Sequence, residues 1–185
     1  MRSDWADRFP ELFRPRYESY ANADLEFRVG TPPDELVARA HVVALDERSQ
    51  VVVCRSVEGW RFLPGGTREP GESLSQLVRR ELLEEAGCTL LGEPDPVFAY
   101  TFARSRRPVP YRPHLPHPES AWAYAIARVE QTGNPANPPD GETVVEVLAL
   151  PPNAAAAWLA EWEDDPDHGR VMRLAIEMGL LVPDH

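Results

Sequence analysis

Apolar residues along the chain recur with two different periods, and the switches between them lay out the elements. Leu36–Asp46 alternates into a continuous apolar run, Ala38–Leu45, and Gln50–Arg55 is a second, β-branched run. The break Asp46-Glu47-Arg48-Ser49 has turn chemistry, so the two runs predict a β-hairpin. Trp60–Leu63 predicts a short third strand, stopped by Pro64-Gly65-Gly66. The period then changes: Leu74, Leu77, Val78 and Leu82 fall on one face of a helix. Ser73 with Gln76 three residues on forms a capping box at its start, and Gly87 stops it. Pro96–Arg104, Ala121–Val129 and Thr143–Leu150 predict further strands, and Asn153–Trp162 and Asp167–Met178 predict two closing helices. The first thirty residues predict only a short helix around Asp4–Phe13, then an irregular stretch through Arg14-Pro15-Arg16. No repeat and no linker divides the chain. The reading is one domain over 1–185, with 1–30 as an N-terminal extension, 104–120 as a long loop and 153–178 as C-terminal helices.

Composition alters this picture at three points. The 20 prolines among 185 residues cluster, and so mark loops. The formal net charge of -11 argues against a partner such as a nucleic-acid polymer, which needs a basic face. Two cysteines, Cys54 and Cys88, lack metal-type spacing and predict reduced thiols. The start of the chain has no apolar segment of signal-peptide type, and no run approaches membrane-spanning length, so the expectation is a cytoplasmic protein without membrane partners.

The predicted helix carries an arrangement that stability alone does not explain. Glu81, Glu84 and Glu85 stand at i, i+3 and i+4 and share one face. They sit in the last turns, where the helix dipole already disfavours negative charge. Each effect costs only about a few tenths to one kcal/mol, so a solvated acidic face with Arg80 paired to Glu84 is one reading. The other is a cage for a hard cation, which takes oxygen ligands. The surroundings favour the cage. Gly65 and Gly66 permit a tight loop just before the helix, Glu72 lies at the loop-to-helix junction, and Arg80 can hold a carboxylate in a two-bonded fork.

With those residues in place, Gly66–Cys88, GTREPGESLSQLVRRELLEEAGC, resembles the Nudix box, G-x5-E-x7-R-E-U-x-E-E-x-G-U with U a bulky apolar residue. Gly66, Glu72, Arg80, Glu81, Leu82, Glu84, Glu85 and Gly87 fall in register; Cys88 stands where the pattern has its last U. The resemblance implies an α/β/α sandwich with a mixed central sheet, and a Nudix hydrolase that cleaves a phosphoanhydride with Mg²⁺ or Mn²⁺. It implies that Glu84 and Glu85 are principal metal ligands, that Glu81 ligates metal or activates water, and that the Gly65 carbonyl joins the shell. Arg80 would orient the acids, Glu72 would tie loop to helix, and Gly66 and Gly87 would be structural. Family members recruit a further acid from a later loop: Glu142 is the first candidate, against a solvated loop acid, with Glu119 and Glu146 behind it.

The loop 104–120 holds five prolines and four arginines. Arg104, Arg106, Arg107 and Arg112, with Tyr111, are candidates to bind substrate, and Trp122 and Tyr124 to stack on a base; solvated arginines and core aromatics are the competing reading. His114 and His117 read as simple loop histidines. The expected substrate is a nucleoside diphosphate linked to another moiety, or a nucleoside triphosphate; a second copy of the chain in a homodimer is an open partner. Two other classes compete on the same fold. A non-catalytic metabolite sensor would have lost box acids, and an isoprenoid-diphosphate isomerase would need a reactive cysteine.

Overall fold

The computed structural model describes residues 4–139, 141, 143–162 and 166–181. Its centre is one mixed sheet. In chain order the strands are β1 (Arg16–Glu18), β2 (Ala23–Val29), β3 (Val37–Leu45), β4 (Val51–Ser56), β5 (Arg61–Phe62), β6 (Gly65–Thr67), β7 (Cys88–Leu91), β8 (Ala99–Ser105), β9 (Glu119–Gln131) and β10 (Val144–Leu150). The sheet runs β1-β2-β8-β9-β3-β4-β10, with β5 on β4, β6 on β3 and β7 on β9. Strands β3 and β9 are parallel, from Val37↔Ala121 to Leu45↔Arg128. Both sit mid-sheet and are buried on both faces, which is why they read as nearly continuous apolar runs.

Alternation along β3 splits the core in two. Val43 and Leu45, with Val51, Val53 and Ile126, face α4 (Pro152–Ala160) and α5 (Asp167–Glu177) through Leu159, Val171, Met172 and Leu174. Val42 and Ala44, with Val52 and Cys54, face the opposite helix, α3 (Leu74–Glu81), and the turn after it through Val78 and Leu82. Leu77 packs on Ala40, Ala123 and Ala125. Leu77, Val78 and Leu82 are fully buried and Leu74 half-buried; each complete burial stabilises by about 1.5–3 kcal/mol. Helices on both faces of a mixed sheet make the α/β/α sandwich that the box implied.

Four features depart from the sequence reading. The N-terminal helix is two short turns, α1 (Trp5–Arg8) and α2 (Pro10–Phe13), broken at Phe9 before the proline. The stretch after it is not irregular: β1 and β2 extend the sheet, and β2 pairs with β8 along its length from Ala23↔Ser105 to Val29↔Ala99. The β3–β4 hairpin keeps only the pairs Ala44↔Val52 and Leu45↔Val51, because β6 takes over the same edge of β3 at Arg39–His41. Gly65-Gly66 therefore lies in a short strand rather than a free loop. Finally, Cys88–Leu91 pairs with β9 immediately after the Gly87 stop.

Candidate active site

Ser73 accepts a hydrogen bond from the Gln76 N–H at 3.2 Å, and the Gln76 side chain accepts from the Ser73 N–H at 2.8 Å. This capping box fixes the start of α3. After Glu81 the helix widens: Leu82–Ala86 is a π turn, and the Gly87 N–H donates to the Leu82 and Leu83 carbonyls. Gly87 has φ 62°, the left-handed conformation that glycine adopts without penalty. Wide turns of this kind occur frequently at functional sites. Here the turn carries Glu84 and Glu85, and its end lets β7 start at once.

Glu81 and Glu85 are both buried, each about 6% exposed, while Glu84 is half-buried. Their surroundings come from the Gly65–Thr67 strand. The Gly65 N–H donates to Glu85 Oε2 at 2.8 Å. The Glu81 carboxylate lies against Gly66, where a β-carbon would sit 2.7 Å from Glu81 Cδ. A side chain at Gly66 would push the strand off Glu81, and one at Gly65 would meet Ala40 and His41 on β3.

Arg80 is the hub. Its Nε donates to Glu72 Oε1 at 2.8 Å and its Nη2 to Glu72 Oε2 at 3.0 Å. Its Nη1 donates to Glu81 Oε1 at 2.8 Å and reaches Glu84 Oε2 at 3.3 Å, and Nη2 also donates to the Thr67 carbonyl. Glu72 further accepts from the Glu69 N–H at 2.8 Å, so one carboxylate joins the loop to the helix through Arg80. The carboxylates respond differently. Burial raises the Glu81 pKa above its ordinary value, aided by the Glu84 and Glu72 charges, and Arg80 only partly opposes this. For Glu72 burial also pushes upward, but the bonds from Arg80 and the Glu69 N–H outweigh it and the pKa is lowered. The fork to Glu72, more than any other partner, holds Arg80 protonated well beyond its ordinary range.

The donor set is all oxygen and anionic, the chemistry a hard divalent cation takes. Among the described residues no three acids, histidines or cysteines are already converged on one point. Arg80 and the Gly65 N–H hold the carboxylate oxygens in its place, so ion binding would exchange some of these bonds. Cys54 and Cys88 are free and buried. Burial pushes the Cys54 thiol well up and Cys88 up to about 11, so neither supplies a reactive thiolate for isomerase chemistry.

The NUDIX domain family model matches residues 35–175. The chain belongs to the Nudix family. No curated protein matches it in sequence. Among solved structures it is similar to a pyrophosphohydrolase from Bacillus subtilis, with a TM-score of 0.52 and 12% identity over 91% of this chain and 95% of that one. That likeness concerns the fold. An ADP-ribose pyrophosphatase from Streptococcus suis (TM-score 0.46, 16% identity, 80% and 96% covered) and a MutT protein from Methanosarcina mazei (0.45, 17%, 78% and 94%) also match.

In this Nudix hydrolase a cleft of about 290 Å³ opens beside Thr67. Its walls include Tyr20, Arg39, Trp122, Arg107, Tyr111 and His117. Tyr20 and Trp122 stack at 6.3 Å between ring centroids, and the Arg39 guanidinium lies 5.2 Å from the Trp122 ring centroid. Arg39 Nε is buried without a hydrogen-bond partner, alone among the described side-chain nitrogens and oxygens. Of the loop candidates, Arg107 and Tyr111 line the cleft. Arg107 also bonds the Tyr20 and Ala21 carbonyls. Arg104 pairs with Glu119 and Arg106 with Asp24, both exposed. Arg112 pairs with Glu69 at 2.8 Å and His114 bonds the Arg68 carbonyl, which seats the loop on the segment leading into α3. His117 bonds the Arg107 carbonyl, within the loop itself.

Trp122 and Tyr124, two apart on β9, share a face of the sheet but meet different neighbours along it: Trp122 borders the cleft and Tyr124 is core, 5% exposed. Glu146 is paired with Arg55 at 2.9 Å. Glu142 lies outside the described residues. Sequence reasoning missed Tyr20, Arg39 and two histidines, His41 and His168. A signal for the first existed: Ala23, Leu25, Phe27 and Val29 alternate as a strand, and Tyr20 precedes them.

Proposed function

We propose that this Nudix hydrolase cleaves a phosphoanhydride bond in a nucleoside diphosphate linked to a second moiety, or in a nucleoside triphosphate, with Mg²⁺ or Mn²⁺ held by Glu81, Glu84, Glu85 and the Gly65 carbonyl. The observation that carries the reading is the placement of three box acids against the Gly65–Thr67 strand, Glu81 and Glu84 held by Arg80 and Glu85 by the Gly65 N–H. When bound, the cation would neutralise phosphate charge and make a coordinated water a better nucleophile. Arg80 would orient Glu81 and Glu84 for it, and the Gly65 N–H would orient Glu85. Glu81 is the group best placed to take a proton from water, because burial brings its pKa toward the working range of a general base. Glu142 remains the proposed further acid. The cleft walled by Tyr20, Trp122, Arg39 and Arg107 suits the part of the substrate that is not hydrolysed: a flat ring against the aromatics, residual phosphate charge toward the arginines. The chain from 1 to 185 is proposed as one catalytic unit.

The test is phosphate or nucleoside-monophosphate release from a panel of sugar-, dinucleoside- and triphosphate-type nucleotides, with and without Mg²⁺. Glu84→Gln and Glu85→Gln should each lower kcat by more than about a hundredfold, the upper end of what outer-shell partners of a metal site cost. Turnover that survives chelation, or variants within a few fold of wild type on the best substrate, would overturn the metal assignment.

A further inference from the structure

Two histidines far apart in sequence close on the two peptide groups that flank one buried residue, Leu63, next to the acids. His168, in α5, is 7% exposed, and its Nδ1 accepts the Leu63 N–H at 2.9 Å. His41, in β3, places its own Nδ1 3.1 Å from the Leu63 carbonyl oxygen. The two rings meet edge to face with centroids 4.5 Å apart, and each also packs on Tyr124. Leu63 is fully buried and joins β5 to β6. It therefore has no water to satisfy its peptide groups, and the imidazoles do so instead.

The hydrogen bonds fix the tautomers. An Nδ1 that accepts an amide N–H carries no proton, so His168 is protonated on Nε2 alone. A carbonyl can only accept, so His41 carries its proton on Nδ1. The adjacent bonds continue the clamp: the Pro64 carbonyl accepts the Val42 N–H at 2.8 Å, and the Gly65 N–H donates to Glu85. His41 also packs directly under Gly65, where a β-carbon would stand 2.8 Å from its Nδ1. Thus Leu63 is pinned from both sides, and two residues later the same backbone sets the position of the Glu85 carboxylate.

We infer that His168 and His41 are positioning residues of the active site: they hold the Leu63–Gly66 backbone at the height at which Gly65 meets Glu85, so that the C-terminal helix sets the geometry of the metal-binding acids. The claim rests on the metal reading above for its consequence, but not for its geometry.

Two independent measurements test it. In the wild-type protein, long-range ¹⁵N–¹H spectra of the histidine rings should show His168 protonated on Nε2 and His41 on Nδ1. The reverse tautomer at His168 would overturn the clamp whatever the protein binds. In the second, Mn²⁺ affinity is read by electron paramagnetic resonance for wild type, His168→Phe and His168→Asn, with kcat and KM on the best substrate. Phenylalanine fills the space without an acceptor; the asparagine amide oxygen restores one. His168→Phe should weaken Mn²⁺ binding by about tenfold or more, as loss of an outer-shell partner does, and lower kcat with KM nearly unchanged. His168→Asn should recover most of both. Wild-type Mn²⁺ affinity in folded His168→Phe overturns the inference, as does a loss that asparagine fails to rescue. Wild-type protein that binds no Mn²⁺ would instead remove the metal reading, leaving the tautomers to decide the clamp.

Discussion

A buried carboxylate with few compensating donors pays for its position in stability, and Glu81 shows how. Its folded-state pKa lies above the unfolded value because burial disfavours the charged form. The folded state therefore binds the proton more tightly. The stability Glu81 contributes is fully present below the unfolded value and is lost as pH rises through the folded pKa. Glu81→Gln keeps an acceptor for Arg80 and removes the charge. We expect it to raise Tm at pH 7 without divalent metal, and the gain to vanish below the ordinary glutamate value of 4.5. Calorimetry of both proteins across pH checks this; a gain that grows toward acid would contradict the sign. The grouping of residues was legible in the sequence where spacing encodes it: the three acids, Arg80 and Glu72 sit in one short segment with fixed offsets. His41 and His168 were not, since histidines that bond the backbone of Leu63 from 22 and 105 positions away leave no periodic trace.

At the scale of elements, α3 was the most legible because its signals are all local. The capping box, the apolar face and the glycine stop agree on one helix. Ser73→Ala removes one cap bond, worth about 1 kcal/mol, and should lower Tm by about 2–4 °C in a domain of this size while kcat stays near wild type. Thermal melts beside steady-state rates test it; an equal Tm would mean the cap is dispensable here. The π turn was not legible, because Leu82–Ala86 has an ordinary helical composition and the widening is settled by where β7 must begin. Nor was β6: two glycines read as a loop, and only the free edge of β3 makes them a strand. In the 106–118 loop the arginines have divided roles. Arg107 faces the cleft and Arg106 is engaged by Asp24. Arg107→Ala should raise KM by about three- to tenfold, the worth of one or two hydrogen bonds, and Arg106→Ala by clearly less. Equal effects would mean the loop does not discriminate.

For the whole molecule the dominant quantity is charge. A protein of net charge -11 repels a polyphosphate at long range, whatever the site does at contact. Raising ionic strength from about 0.01 to 0.15 M shortens the Debye length from about 30 to 8 Å. With metal saturating, kcat/KM for an anionic substrate should therefore rise over that interval, opposite to an enzyme with a steering field. A steep fall would show that the arginine-lined cleft governs approach. The sheet's central strands were readable because burial on both faces makes them uniformly apolar. Its far edge was harder: β1 has three residues, and the alternation of β2 sits behind a proline-broken segment.

That far edge lies upstream of the family match, which starts at residue 35. Tyr20, Ala21 and Ala23, which wall the cleft, all belong to it, whereas the acids lie wholly within the matched span. On the proposed reading of the cleft, substrate choice is then shared between two stretches of the gene: Tyr20, Ala21 and Ala23 come from outside the matched span, and Arg39, Arg107, Tyr111 and Trp122 from within it. Mutations in the first thirty codons would retune one wall of the cleft while the codons for the acids stay constant.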